Sequence, residues 1–165
     1  MVRLKNRYLV CEVVYTGSRK KVSSFSEYDL HLCIRNAVQQ SYGDYGRGVL
    51  RTSLSVKHWN RATNIVLIRA KRGAHTMVQA ALTFIKTIAG TDAFFSTLHI
   101  GGTIRSCYKF LVRYHQQQLP SLLQECQTDR ERNAVRAAII SCNKAVKNEI
   151  DGRELPKKKS SDTKT

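Results

Sequence analysis

Asn64-Ile65-Val66-Leu67-Ile68-Arg69 sets four aliphatic side chains in a row between polar residues. Successive side chains of a strand point to opposite faces, so an unbroken apolar run fits a strand covered on both sides. Tyr8-Leu9-Val10-Cys11-Glu12-Val13-Val14-Tyr15 has the same character, broken only by Glu12. Between these runs, Leu50, Thr52, Leu54 and Val56 alternate with Arg51, Ser53, Ser55 and Lys57, which predicts a strand with one wet, basic face. A turn is expected at Asn60–Thr63, and a fourth strand over Phe94–Ile100, broken at Gly101-Gly102. Ser24 and Glu27 form a capping-box pattern ahead of Leu30, Cys33, Ile34, Ala37 and Val38, a helix that Gly43 is expected to stop. Gly43 to Gly48 then reads as a flexible loop. A second helix opens at Gly73 and runs to Gly90, with Val78, Ala81, Leu82, Ile85 and Ile88 as its inner stripe.

The order is βαββαβ. It predicts an α+β, ferredoxin-like sandwich of the RNA-recognition-motif type, with an antiparallel sheet and strands one and three at its centre. Two additional C-terminal helices follow. One covers about Thr103–Gln118, turns Ile104, Cys107, Tyr108 and Leu111 inward and is interrupted or kinked at Pro120. The other opens with a capping box at Thr128 and Glu131 and buries Val135, Ala138, Ile139, Cys142 and Val146. Residues 1–150 are expected to form a single domain and 151–165 a disordered basic tail. Its Pro156-Lys157-Lys158-Lys159 run suits a nuclear-localisation signal or a merely solvated tail. RNA-recognition motifs read bases with aromatic side chains on the third strand. Here that strand is wholly aliphatic, so its face should be covered, by the C-terminal helices or by a partner subunit.

The chain has 165 residues, 42% of them hydrophobic, and a formal charge of +16. It can bury a core, and a folded body of that charge calls for a polyanion, nucleic acid ahead of an anionic membrane. The charge is concentrated: between Tyr45 and Gln124 there are eleven basic residues and a single acid, Asp92. No run reaches the length of a membrane span, and no apolar stretch follows the basic N-terminus as in a signal peptide. Five cysteines without a C-x-x-C pair argue against a zinc ribbon or disulfide framework and for reduced thiols. Phosphate-loop, metalloprotease and nucleophile-elbow motifs are absent, the five histidines are scattered, and carboxylates are sparse where bases are dense. A catalytic constellation is therefore not expected.

The sharpest local feature is Gly101-Gly102-Thr103-Ile104-Arg105. Two glycines allow a close turn, Thr103 can cap the next helix, and the first N–H groups form an anion site beside Arg105. Arg105, Lys109 and Arg113 recur every four residues and share a helix face. At the N-terminus, alternation gives Arg3, Lys5 and Arg7 one side if that segment is extended.

Three blocks taken together, Met1-Val2-Arg3-Leu4-Lys5-Asn6-Arg7-Tyr8-Leu9, Gly43-Asp44-Tyr45-Gly46 and Leu98-His99-Ile100-Gly101-Gly102-Thr103-Ile104-Arg105, resemble one family. It is the small RNA-recognition-motif-like protein subunit shared by eukaryotic ribonuclease P and ribonuclease MRP, which has an archaeal counterpart. The likeness spans roughly Met1 to Leu123; the loop at Gly17–Ser24 and everything beyond Glu125 match poorly. The resemblance implies a subunit that is not catalytic alone, in a ribonucleoprotein endoribonuclease whose RNA carries the active site. That large catalytic RNA uses bound Mg²⁺ to remove the 5′ leader of precursor tRNA or to cut precursor ribosomal RNA, and the protein itself binds no cofactor. The implied partners are the RNA, precursor tRNA within the complex, a TIM-barrel-like subunit and a paralogous small subunit, with no membrane. The implied location is the nucleus and nucleolus. Arg3, Lys5 and Arg7 would lie against RNA near the active centre, and Arg105 and Lys109 would touch backbone. Arg47, Lys57, Arg61, Gly101, Gly102, Thr103 and Arg113 complete the expected RNA-binding set, while apolar sheet and helix surfaces would serve protein partners. Contact with about six phosphates would give log K a slope near −4 to −5 against log salt. A ribosomal or other RNA-packaging protein of the same fold shares the charge and element order, and only the motif blocks separate it. A charged protein–protein module and a metal-dependent nuclease are the other classes.

Overall fold

A computed structural model describes residues 5–16, 25–61, 63–126, 128–137 and 139–140. Eight elements follow in order: β1 (Asn6–Tyr15), α1 (Glu27–Leu50), β2 (Ser55–Asn60), β3 (Ile65–Lys71), α2 (His75–Thr83), β4 (Thr87–Ile88), β5 (Thr91–Gly101) and α3 (Ile104–Glu125). Residues 129–137 are also helical. The strands form one antiparallel sheet in the order β2-β3-β1-β5-β4. The two continuously apolar runs are thus the neighbouring strands β1 and β3, inside the sheet, as their patterns require.

Each sheet face carries its own core. Leu9, Cys11 and Val13 of β1 and Val66, Ile68 and Ala70 of β3 are buried with the inner stripes of α1 and α2. The alternate residues, Val10, Ile65 and Leu67, are buried with Cys107, Tyr108 and Leu111 of α3. The aliphatic face is therefore covered by a C-terminal helix of the same chain, and the sheet surface expected to serve protein partners is already filled. His99 of β5 stacks on Phe110 of α3 with centroids 4.6 Å apart, and Phe110 in turn on Tyr114 at 5.9 Å. These rings stack on each other.

Several local expectations are corrected. The capping box of α1 is Ser26 with Asp29, whose carboxylate accepts from the Ser26 N–H at 2.8 Å; Glu27 is the first helical residue, and Ser24 lies outside the described residues. Phe25 and Leu30, buried in the same cluster before and after that cap, occupy the positions of a hydrophobic staple. Gly43 kinks α1 without ending it, and the expected loop resumes as helix through Leu50, because Leu50 has a place in the core. The wet strand accordingly starts at Ser55, not Leu50, and extends through Asn60. α2 stops at Thr83, and Ile88 is buried from β4, across a tight turn in which Ala89 and Gly90 both have positive φ (46° and 78°). β5 runs longer than Phe94–Ile100, from Thr91 to Gly101. Pro120 lies inside α3, which continues to Glu125, and Gln116, the residue whose carbonyl it deprives of a helical partner, is exposed. The Thr128–Glu131 capping box forms as read. Ile139 is buried and Val135 half-buried; Ala138, Cys142, Val146 and the 151–165 tail lie outside the described residues.

Candidate nucleic-acid interface

Antiparallel pairing brings the start of β1, the end of β3 and the end of β5 to one edge of the molecule. Tyr8 pairs with Gly101 on one side and with Arg69 on the other, and Asn6 pairs with Lys71. The Arg72 N–H donates to the Lys5 carbonyl at 2.8 Å, extending the β1–β3 contact by one more bond. α3 starts immediately beyond β5. Thr103 caps it, its hydroxyl accepting from the Ser106 N–H at 3.1 Å and its carbonyl from the Cys107 N–H at 3.3 Å.

The glycines make this junction possible. A Cβ on Gly101 would stand 2.6 Å from Cys107 Sγ, so only glycine lets the helix start so close to the strand. The Cys107 thiol also donates to the Tyr8 carbonyl at 3.6 Å, which ties the helix to β1. Gly102 is exposed, and the Arg7 guanidinium lies over it, with Nη1 3.2 Å from where a Cβ would be. The N-terminal block and the Gly-Gly-Thr-Ile-Arg block, some ninety residues apart in sequence, thus form one surface. Its cations are Lys5, Arg7, Arg69, Lys71, Arg72 and Arg105, and Lys109 and Arg113 continue it along the exposed face of α3. Among the described residues the only ion pair is Arg132 with Asp129, so none of these cations is neutralised by a carboxylate. Unpaired cations beside the free N–H groups of a helix start attract phosphate oxygens.

The reactive-looking groups nearby are packing groups. Burial pushes the Cys11 thiol up to about 12 and the Cys107 thiol up to about 11, which removes the thiolate at neutral pH. Tyr114 is pushed up to about 12 by burial, then by the charge of Glu12, to which its hydroxyl donates at 3.1 Å. Burial lowers the pKa of His115. Among the described residues no group of three His, Cys, Asp or Glu side chains is placed to hold a metal ion.

Of the residues expected to meet RNA, Lys5, Arg7, Gly101, Gly102, Thr103 and Arg105 come together here. Arg3 lies outside the described residues. Arg47 sits in α1, on the opposite face of the sheet from α3, Lys57 at the bulge of the edge strand β2, and Arg61 beyond the other end of that strand. Arg69, Lys71 and Arg72 were missed by the sequence reading. Their signal was Arg69-Ala70-Lys71-Arg72, three bases in four residues at the exit of a central strand, next to the start of its antiparallel neighbour.

The sequence profile of the Rpp14/Pop5 family matches residues 7–112, a span that starts at Arg7 and passes through the Gly-Gly-Thr-Ile-Arg block to Val112. The chain belongs to the Rpp14/Pop5 family. It is 38% identical over 149 residues to the ribonuclease P/MRP protein subunit POP5 of Danio rerio, covering 87% of this chain and 88% of that one. It is 37% identical over 147 residues to the Homo sapiens protein of the same name, covering 86% and 90%. A chain in the cryo-EM structure of yeast ribonuclease MRP aligns with it at a TM-score of 0.49 and 16% identity, over 89% of this chain and 98% of that one. Membership of the Rpp14/Pop5 family covers both halves of the surface, Arg7 and Arg105, within one matched span.

Proposed function

We propose that this chain is an RNA-binding protein subunit of a ribonuclease P/MRP ribonucleoprotein, and that it stabilises the core of the RNA that performs the cleavage. The observation that carries this reading is the convergence of Lys5, Arg7, Arg69, Lys71, Arg72 and Arg105 around the capped start of α3, with no carboxylate paired to them among the described residues. A folded RNA crowds its phosphates, and a rigid array of cations relieves that repulsion while releasing diffuse counterions. The protein's own side chains then position the RNA without acting on the scissile bond, and Mg²⁺ belongs to the RNA. The substrates of the assembled particle are precursor tRNA, which loses its 5′ leader, and precursor ribosomal RNA, in the nucleus and nucleolus. Protein partners, a TIM-barrel-like subunit and a paralogous small subunit, meet apolar side chains the fold leaves exposed, such as Phe84 (72% exposed) and Tyr28 (70%). RNA packaging by a ribosomal protein would draw on the same charge, but the family relationship favours the processing particle.

The test is titration of the full-length chain onto the RNA that co-purifies with it. Replacing Arg7 and Arg105 by Gln is expected to lower affinity by about tenfold per residue and to flatten the salt slope by about 1–2, with the urea midpoint unchanged. Unaltered binding by that variant would remove this surface from the RNA contact.

A further inference from the structure

Gly43-Asp44-Tyr45-Gly46 plays no part in the surface just described, yet its two glycines shape a second one. Gly43 has φ 59° and ψ −151°, backbone that favours glycine, and there α1 kinks. Past the kink, a Cβ on Gly46 would stand 2.7 Å from Tyr42 Cβ and 3.0 Å from Val38 Cγ1, so only glycine lets the second helical segment lie against the first. The two segments enclose a cleft of about 610 Å³. His31 and Arg35, four residues apart, line it from the first segment, and Arg47 and Arg51, with the same spacing, from the second. Asp44 also lines it, but among the described residues no carboxylate lies within ion-pair distance of any of the three arginines.

We propose that this cleft is a second RNA-backbone site, so that the chain holds two segments of folded RNA at once. The inference rests on the RNA-subunit reading above. α1 covers one face of the sheet and α3 the other, so the cleft and the start of α3 belong to opposite layers of the sandwich. The cations are arginines, whose planar forks match phosphate oxygens bidentately. Beneath them Val38, Leu50 and Leu54 are buried in the core, which leaves no apolar socket for the side-chain anchor an acidic peptide would need. The motif then has a physical role: Gly43 and Gly46 set the distance between two pairs of basic groups.

The experiment is hydroxyl-radical footprinting of the full-length chain on its co-purifying RNA, with binding measured over a salt series. Arg35→Gln, Arg47→Gln and Arg51→Gln together are expected to erase one protected stretch of backbone, different from the stretch lost in the Arg7→Gln, Arg105→Gln variant. The salt slope should flatten by about 2–3. The triple Lys variant, which keeps the charge, should restore most of the slope and shows that lost binding is not lost folding. A triple Gln variant with wild-type footprint and slope overturns the proposal, while the Arg7 and Arg105 variant still reports on the first site. The same result accompanied by loss of a protein subunit from the purified particle also overturns it and assigns the cleft to an acidic protein. Absence of any footprint by the wild-type chain overturns both readings.

Discussion

A methyl group added at Gly101 would meet Cys107 Sγ at 2.6 Å and the Thr103 carbonyl at 3.3 Å, whereas one added at Gly102 would meet only the Arg7 guanidinium. The first contact is core and the second is the tip of a flexible side chain. Gly101→Ala is therefore expected to cost about 1–3 kcal/mol, read as a lowered urea midpoint, and Cys107→Ala in the same chain to recover part of it. Gly102→Ala is expected to leave stability within about 0.5 kcal/mol and to weaken RNA binding by displacing Arg7. The sequence showed that two glycines and a threonine open a helix. It did not show that one glycine serves packing and the other an arginine, because Cys107 turns back onto Gly101 only when α3 starts at Thr103, and Arg7 reaches Gly102 only once β1 and β5 are paired. For the same reason Arg69, Lys71 and Arg72 escaped notice: their closeness to Lys5 and Arg7 is set by strand register.

At the scale of elements, the continuous apolarity of β1 and β3 made their interior positions legible, and the missing aromatics on β3 correctly called for a cover. Boundaries were harder. Ser24–Glu27 and Ser26–Asp29 both suit a capping box, and the choice fell to the pair that lets Phe25 and Leu30 share the core. Ile88 fits the helical stripe of α2 by spacing, but the Ala89–Gly90 turn makes it part of a hairpin instead. That turn has the positive φ at both central positions that favours Asn-Gly, and alanine bears a steric cost there of about 1–2 kcal/mol. Ala89→Asn is expected to raise stability by about 0.5–1 kcal/mol in a urea titration. A decrease would show that this turn is not held in the left-handed region.

For the whole molecule, two buried thiols set an alkaline limit. Unfolded, a thiol ionises at its ordinary value of 9.0, whereas folded Cys11 and Cys107 keep their protons to about 12 and about 11. Above pH 9 the unfolded chain therefore binds fewer protons, so stability falls as pH rises and is untouched below. Cys11 alone sets a limiting slope of roughly 1.4 kcal/mol per pH unit, and Cys11→Val should flatten the decline. The charge of +16 was legible from composition and the element order from pattern. What composition left open was which cations act together, and that is a matter of topology. The most direct test of the central claim is to tag the chain in its native cell, purify it at moderate salt, sequence the accompanying RNA and assay precursor-tRNA cleavage before and after RNA digestion. One or two large structured RNAs with Mg²⁺-dependent removal of the 5′ leader, abolished by the digestion, is the predicted result. Ribosomal RNA without cleavage, or cleavage that survives RNA digestion, would contradict it.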